Sequence, residues 1–210
     1  MNSSPKTRIH FVQRSVTFAF AAIERRYERL CYLLQHYHVD CQDDEIVSLA
    51  WDIIDWAERL RTLLHHGIGV KASDPWLQWF TRELAPVESM RHIIQHLPGS
   101  VEECLREKSP LFGYVWAYCS SREDENSYDI IVAVASPLSA QDNANLRIFG
   151  KIEIDFHPPV DQVCFQVGKH RMNLTNFMML VRDGHMRFDQ RTITGQHNKS
   201  AGGDALAPQA

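Results

Sequence analysis

The chain has 210 residues, 44% of them apolar and 23% charged, and a formal net charge of −4. That length holds one compact core or two small ones sharing an interface, and the mild acidity excludes a general attraction to nucleic acid, so any RNA contact has to be local. The opening Met1-Asn2-Ser3-Ser4-Pro5-Lys6 contains no apolar signal core, and no run approaches the roughly 20 apolar residues of a membrane helix, which predicts a cytoplasmic protein with no membrane partner.

Residues 1 to 7 read as a frayed arm. Val12, Val16, Phe20, Ile23, Tyr27, Leu30 and Leu34 then recur at spacings of three and four, predicting a long amphipathic helix to about residue 37. The segment His38-Val39-Asp40-Cys41-Gln42-Asp43 supplies capping acids to a second helix, whose Ile46, Leu49, Ile53, Trp56, Leu60 and Leu63 keep the cleanest period in the chain. Gly67 and Gly69 end it.

Asp74 and Pro75 have the form of an N-cap followed by a first-turn proline. Pro86 interrupts the third helical segment, yet Leu77, Phe80, Leu84, Val87, Met90, Ile94 and Leu97 stay on one stripe, predicting a kink or a helix pair rather than a reversal. Pro98-Gly99 is expected to stop it, leaving His96 in its last turn, and Ser100 to cap a short helix reaching Arg106.

Beyond Pro110 the period becomes extended. Residues 114 to 118, 128 to 134, 147 to 154 and 162 to 167 are rich in branched and aromatic side chains and predict four strands of one antiparallel sheet. His157-Pro158-Pro159-Val160-Asp161 reads as a rigid turn between strands. Asn173 is placed to cap a final helix from Leu174 to about Arg187 that buries Phe177, Leu180 and Val181 on the sheet. From Thr192 onward the composition is that of a disordered tail.

The most informative motif is Arg91-x4-His96 within Met90-Arg91-His92-Ile93-Ile94-Gln95-His96-Leu97. It sets a permanent cation and a group that titrates near neutrality about 140° apart on one helix, where both can border a groove without touching. A helical hairpin followed by a helix carrying this motif, with a polar residue directly after the arginine, resembles the HEPN superfamily of higher eukaryotic and prokaryotic nucleotide-binding domains. The resemblance covers residues 8 to 107, about half the chain. It implies a helical bundle that forms a homodimer, and a metal-independent endoribonuclease of a bacterial defence or toxin-type system acting on RNA. The alternative it carries is a non-catalytic dimerisation or interaction module that binds a protein or small ligand.

Under the resemblance His96 is the general base or acid at the ribose 2′-hydroxyl and the leaving oxygen, and Arg91 neutralises charge on the scissile phosphate. His92 and Gln95 are auxiliary donors, and Glu88, one turn before Arg91, orients the arginine through an ion pair. No cofactor is implied. His92 and His96, four apart, could share a metal ion with His65-His66 or with His36 and His38, but no carboxylate stands between them as in a zinc-protease helix, so no metal is expected.

Asp52, Asp55, Arg59 and Thr62 form a polar stripe on the second helix, a solvated face from which Asp52 or Asp55 can meet Arg91. Trp56 lies on the apolar stripe and is assigned to the core, while Trp76 and Trp79 are expected between helices or subunits. Cys31, Cys41, Cys104, Cys119 and Cys164 are odd in number and scattered, which reads as reduced packing residues; Cys104 lacks the context of a nucleophile. The expectation as a whole is an α+β protein: a HEPN-like bundle over 8–107, an antiparallel sheet with a helix over 110–190, and a disordered tail over 191–210.

Overall fold

Two long helices, α1 (Pro5–Gln35) and α2 (Asp43–His66), pack against each other as an antiparallel hairpin. The structure is a computed structural model that describes residues 5–37, 43–66, 74–107, 109–120, 128–135 and 160–200. A proline is tolerated in the first turn of a helix, and α1 starts at Pro5, so residues 5 to 7 are helical rather than a frayed arm. The apolar stripes meet face to face: Val16, Phe20, Ile23 and Leu30 of α1 and Ile46, Ile53 and Leu60 of α2 are all fully buried. Arg26–Asp52 at 3.1 Å and Arg29–Glu45 at 2.9 Å flank the seam. These pairs are half-exposed and worth less than about 1 kcal/mol each, so the buried stripe supplies most of the stabilisation.

The next stripe is cut by Pro86 into a helix pair, α3 (Pro75–Glu83) and α4 (Pro86–Gln95). Asp74 caps α3 as its sequence form implies, accepting from Trp76 N at 2.9 Å and Leu77 N at 3.3 Å. Leu77, Phe80, Leu84, Val87 and Met90 are buried along the pair. The expected stop at Pro98-Gly99 is corrected: α5 (Leu97–Glu107) begins before the proline, which sits in its first turn where a missing N–H costs no hydrogen bond. His96 is therefore a one-residue joint between α4 and α5, with φ −118° and ψ 37°.

The sheet contains β1 (Tyr114–Ser120), β2 (Tyr128–Val134), β3 (Val160–Val167) and β4 (His170–Asn173), antiparallel in the order β2-β1-β3-β4. Three of the expected strands are present, and the one expected at 147–154 lies outside the described residues. β4 escaped the pattern because it is only four residues long. It follows a two-residue turn whose Gly168 takes φ +54°, a conformation open to glycine. Val160 and Asp161, expected in a rigid turn, instead open β3; the rest of that segment lies outside the described residues.

Val115, Ala117, Val163, Phe165 and Val167 face the helices and join one core with the side chains of α1 and α2, so the helical and sheet halves share their apolar interior. Tyr114, Trp116, Tyr118, Val134 and Cys164 form a second cluster on the opposite face. Trp51 on α2 ties the halves together, its indole N–H donating to Phe112 O at 2.8 Å while its ring meets Phe165 edge-on.

The final helix, α6 (Leu174–Ser200), is capped by Asn173, whose Oδ1 accepts from Asn176 N at 2.9 Å. It continues past Arg187, so residues 191 to 200 belong to the helix and not to a disordered tail, while 201 to 210 lie outside the described residues. Near the expected end Arg187 pairs with Asp183 at 2.9 Å, and Arg191 forms an ion pair with the α3 cap Asp74. Tyr27 of α1 shares a 3.0 Å hydrogen bond with Thr175, whose hydroxyl accepts from Val163 N, joining α1, α6 and β3.

Gly184 is where α6 approaches α3 most tightly, because an added Cβ would overlap the ring of Phe80. Alanine would improve helix propensity by about 1 kcal/mol. Phe80 is fully buried and has no room to move, so Gly184→Ala should lower stability by about 1–3 kcal/mol in urea unfolding. An unchanged or raised midpoint would mean that α6 can slide away from α3.

Asp74 gives a pH signature. Burial works to raise its carboxyl, but hydrogen bonds from Leu77 and Trp76 and the Arg191 guanidinium outweigh it and hold the group below the usual carboxylate range. The unfolded chain therefore binds the proton more readily, and the stabilisation is complete above the ordinary aspartate value near ~3.9 and lost as pH falls through the lower folded value. Asp74→Ala should cost about 1 kcal/mol at neutral pH through the lost cap, with the gap to the unsubstituted protein closing below about pH 4 in thermal melts.

Candidate functional site

Burying Val87 and Met90 seats α4 against α2 and leaves Arg91 at the edge of the contact with its side chain 36% exposed. Arg91 Nε forms an ion pair with Asp55 Oδ1 at 3.1 Å, and the other oxygen of Asp55 pairs with Arg59 at 2.6 Å. One carboxylate thus serves two guanidiniums. Of the two candidates on the α2 polar stripe, Asp55 faces Arg91, while Asp52 pairs with Arg26.

Glu88 does not orient Arg91. It pairs with Arg61 of α2 at 2.9 Å, and the same guanidinium makes a forked contact with Glu58 at 2.8 and 3.0 Å. Glu58 is nearly buried and requires such a partner, and its hydrogen bond, against the opposing effect of burial, raises the Arg61 pKa with further help from the charges of Glu58 and Glu88. Arg61 is thereby fixed across from α4, where Glu88 meets it.

His92, Gln95 and His96 are all exposed. The two imidazoles lie 4.2 Å apart and tilted by 46°. Arg91 and Gln95 border a cleft of about 270 Å³ together with Trp51, Asp52, Ile54 and Asp55. Neither His92 nor His96 belongs to its walls. The structure therefore gathers Arg91, Gln95 and Asp55 at the cleft, while His92 and His96 are exposed and do not line it. Among the described residues no three His, Cys, Asp or Glu side chains converge as a metal site. His36 instead stacks on Tyr32, with Nδ1 2.8 Å from the Tyr32 carbonyl.

Trp56, expected in the core, packs against its edge. It is half-buried, with Arg59 4.9 Å and Arg26 5.3 Å from its ring centre and Phe18 edge-on at 5.4 Å. Trp76 is buried and stacks on Phe80 one turn along the same helix, while the Arg191 guanidinium of α6 lies 4.9 Å from its ring centre. Cys31, Cys104, Cys119 and Cys164 are free thiols; burial pushes Cys31 up to about 11, and Cys104 is only 4% exposed. Cys41 lies outside the described residues.

A larger hollow was missed by the sequence reading. It is a groove of about 1230 Å³ between α1 and α2, walled by Phe11, Arg14 and Phe18 on one side and Trp56 and Arg59 on the other, with Arg91 contributing from α4. Arg91 thus belongs to both hollows. Its trace in the sequence is His10 and Arg14 with no acid before Glu24, against the preference of a helix N-terminus for negative charge. Comparison with known protein families, curated proteins and solved structures finds no match for this chain.

The two arginine networks differ in stability terms. Arg61→Ala strands Glu58, which is 7% exposed, and should cost roughly 2–3 kcal/mol, less than a fully buried pair because Arg61 keeps some solvent. Asp55→Ala breaks partly exposed pairs and should cost under about 1 kcal/mol. Denaturant titration of both variants checks the order; a larger loss for Asp55 would reverse the ranking.

Proposed function

We propose that the chain is a HEPN-like helical interaction module whose α2–α4 face holds a protein or small ligand, with no requirement for catalysis. The observation that carries this reading is that Arg91 is engaged by Asp55 beside a cleft that His96 does not line. A general acid or base has to reach the reacting group at hydrogen-bond distance, and an arginine that neutralises phosphate works best when its fork is not already shared with a carboxylate. A partly covered guanidinium beside Trp51, Gln95 and a large groove suits recognition.

The second reading is a metal-independent endoribonuclease, and one observation favours it: Arg91 and Gln95 border a cleft while His92 and His96 stand exposed on the same helix and its joint. In that reading a homodimer brings two Arg91–His96 pairs to one RNA-binding groove. A mixed RNA pool incubated in chelator with the purified protein, Arg91→Ala and His96→Ala separates the two. The module reading expects no cleavage above background from any of them. Cleavage by the unsubstituted protein that both folded variants lose by 10²-fold or more would replace it with the nuclease.

A further inference from the structure

The groove between α1 and α2 has the form of a missing helix. On α1 its wall runs Thr7, His10, Phe11, Arg14, Ser15 and Phe18, the one-sided spacing of a helix face. At 1.5 Å per residue this wall is about 16 Å long, or three helical turns. Trp56, Arg59 and Leu63 face it from α2. Phe11 is 72% and Phe18 55% exposed, so two large apolar rings beside one trough lack cover.

The charge around the trough has one sign. Among the described residues no carboxylate lines it, and Arg59 and Arg91 share Asp55 behind them, leaving one positive charge unmatched. Arg14 makes no ion pair among the described residues and adds a second, beside His10. A net charge of −4 on the chain makes this surplus a local feature.

The aromatic faces discriminate among anionic occupants. Trp56 is already covered by Arg59 and Arg26, and the Arg25 guanidinium lies 5.9 Å from the centre of Phe18, whose edge contact is with Trp56. Among the described residues Phe11 is the groove ring with neither a guanidinium nor another ring against it, one platform where a run of stacked bases needs several, and a lipid surface needs a flat or convex apolar face. A trough between two helices with cations along it suits apolar knobs flanked by carboxylates.

We propose that this groove receives an acidic amphipathic helix of about three turns from a partner protein, its apolar side on Phe11, Phe18 and Leu63 and its carboxylates on Arg14, Arg59 and Arg91. The proposal rests on the interaction-module reading and extends it from the α2–α4 face to the adjoining α1–α2 groove, which Arg91 also lines.

The test uses the full chain and a synthetic helix of about four turns with leucines at i, i+3, i+4 and i+7 and glutamates elsewhere, followed by fluorescence anisotropy. The same helix with lysines for glutamates, an oligouridylate and phosphatidylglycerol vesicles serve as competitors in class. Saturable binding of the acidic helix is expected, weakened at least about tenfold by Arg14→Glu and by Phe18→Ser and unaffected by Arg82→Glu away from the groove. Both groove positions are solvent-facing, and circular dichroism verifies that the variants stay folded. No binding of the acidic helix, binding indifferent to both groove variants, or tighter binding of the oligouridylate or vesicles through Arg14 and Phe18 would each overturn the proposal. Metal-free RNA cleavage lost in Arg91→Ala would remove the module reading whatever the peptide does, whereas an unbound peptide without cleavage removes only this partner.

Discussion

The ring of Phe20 is where the first and last helices of the chain become one body. It is fully buried, stacks on His185 at 4.8 Å, and meets Phe80 at 5.9 Å and Phe188 at 6.0 Å, so α1, α3 and α6 converge on it. His185 is held there by Glu24, whose carboxylate lies 3.0 Å from Nδ1. Turning Phe20 inward also decides what α1 shows outside. Phe18, two positions earlier, lies about 160° around the helix and has to face away from this cluster. The exposed wall of the groove is the geometric counterpart of the buried aromatic core.

Carboxylate burial then determines where the arginines point. Glu58 and Asp55 lie nearly one turn apart on α2, and each gathers guanidiniums, but the charge balance differs. Arg61 is one cation between the two acids Glu58 and Glu88, whereas Asp55 is one acid between the two cations Arg59 and Arg91. The buried acid requires a forked donor, since an unpaired carboxylate there would lose its hydration without compensation. Negative surplus therefore collects at one network and positive surplus at the other, beside the groove. The α2–α4 contact is both a structural seam and the source of the local charge on which the proposed recognition depends.

The motif that dominated the sequence shows why proximity along a helix is a limited guide to a site. Glu88 is one turn from Arg91, a spacing that permits an ion pair, yet Arg61 on a neighbouring helix takes it. His96 is five residues from Arg91 and its N–H still bonds His92 O, so the helix relates the two positions, yet the cleft beside Arg91 is walled by α2 and Gln95 without it. The Asp55 contact, by contrast, followed from placing a polar stripe on α2 opposite a polar position on α4.

By itself the sequence determined the element types: the helical stripes of α1 and α2, the Asp74 cap, the division at Pro86, three strands of the sheet and the Asn173 cap all follow from local geometry. Covalent spacing sets which face of a helix or strand a residue occupies, so such features repeat along the chain and can be read from it. Only the tertiary structure decided that Trp56 is covered by guanidiniums, that Arg191 reaches back to Asp74, and that α1 and α2 leave a basic trough between them. Those outcomes depend on the distance between separately formed elements, which is settled by how their side chains pack and which charges must stay hydrated or paired, and local spacing contains neither.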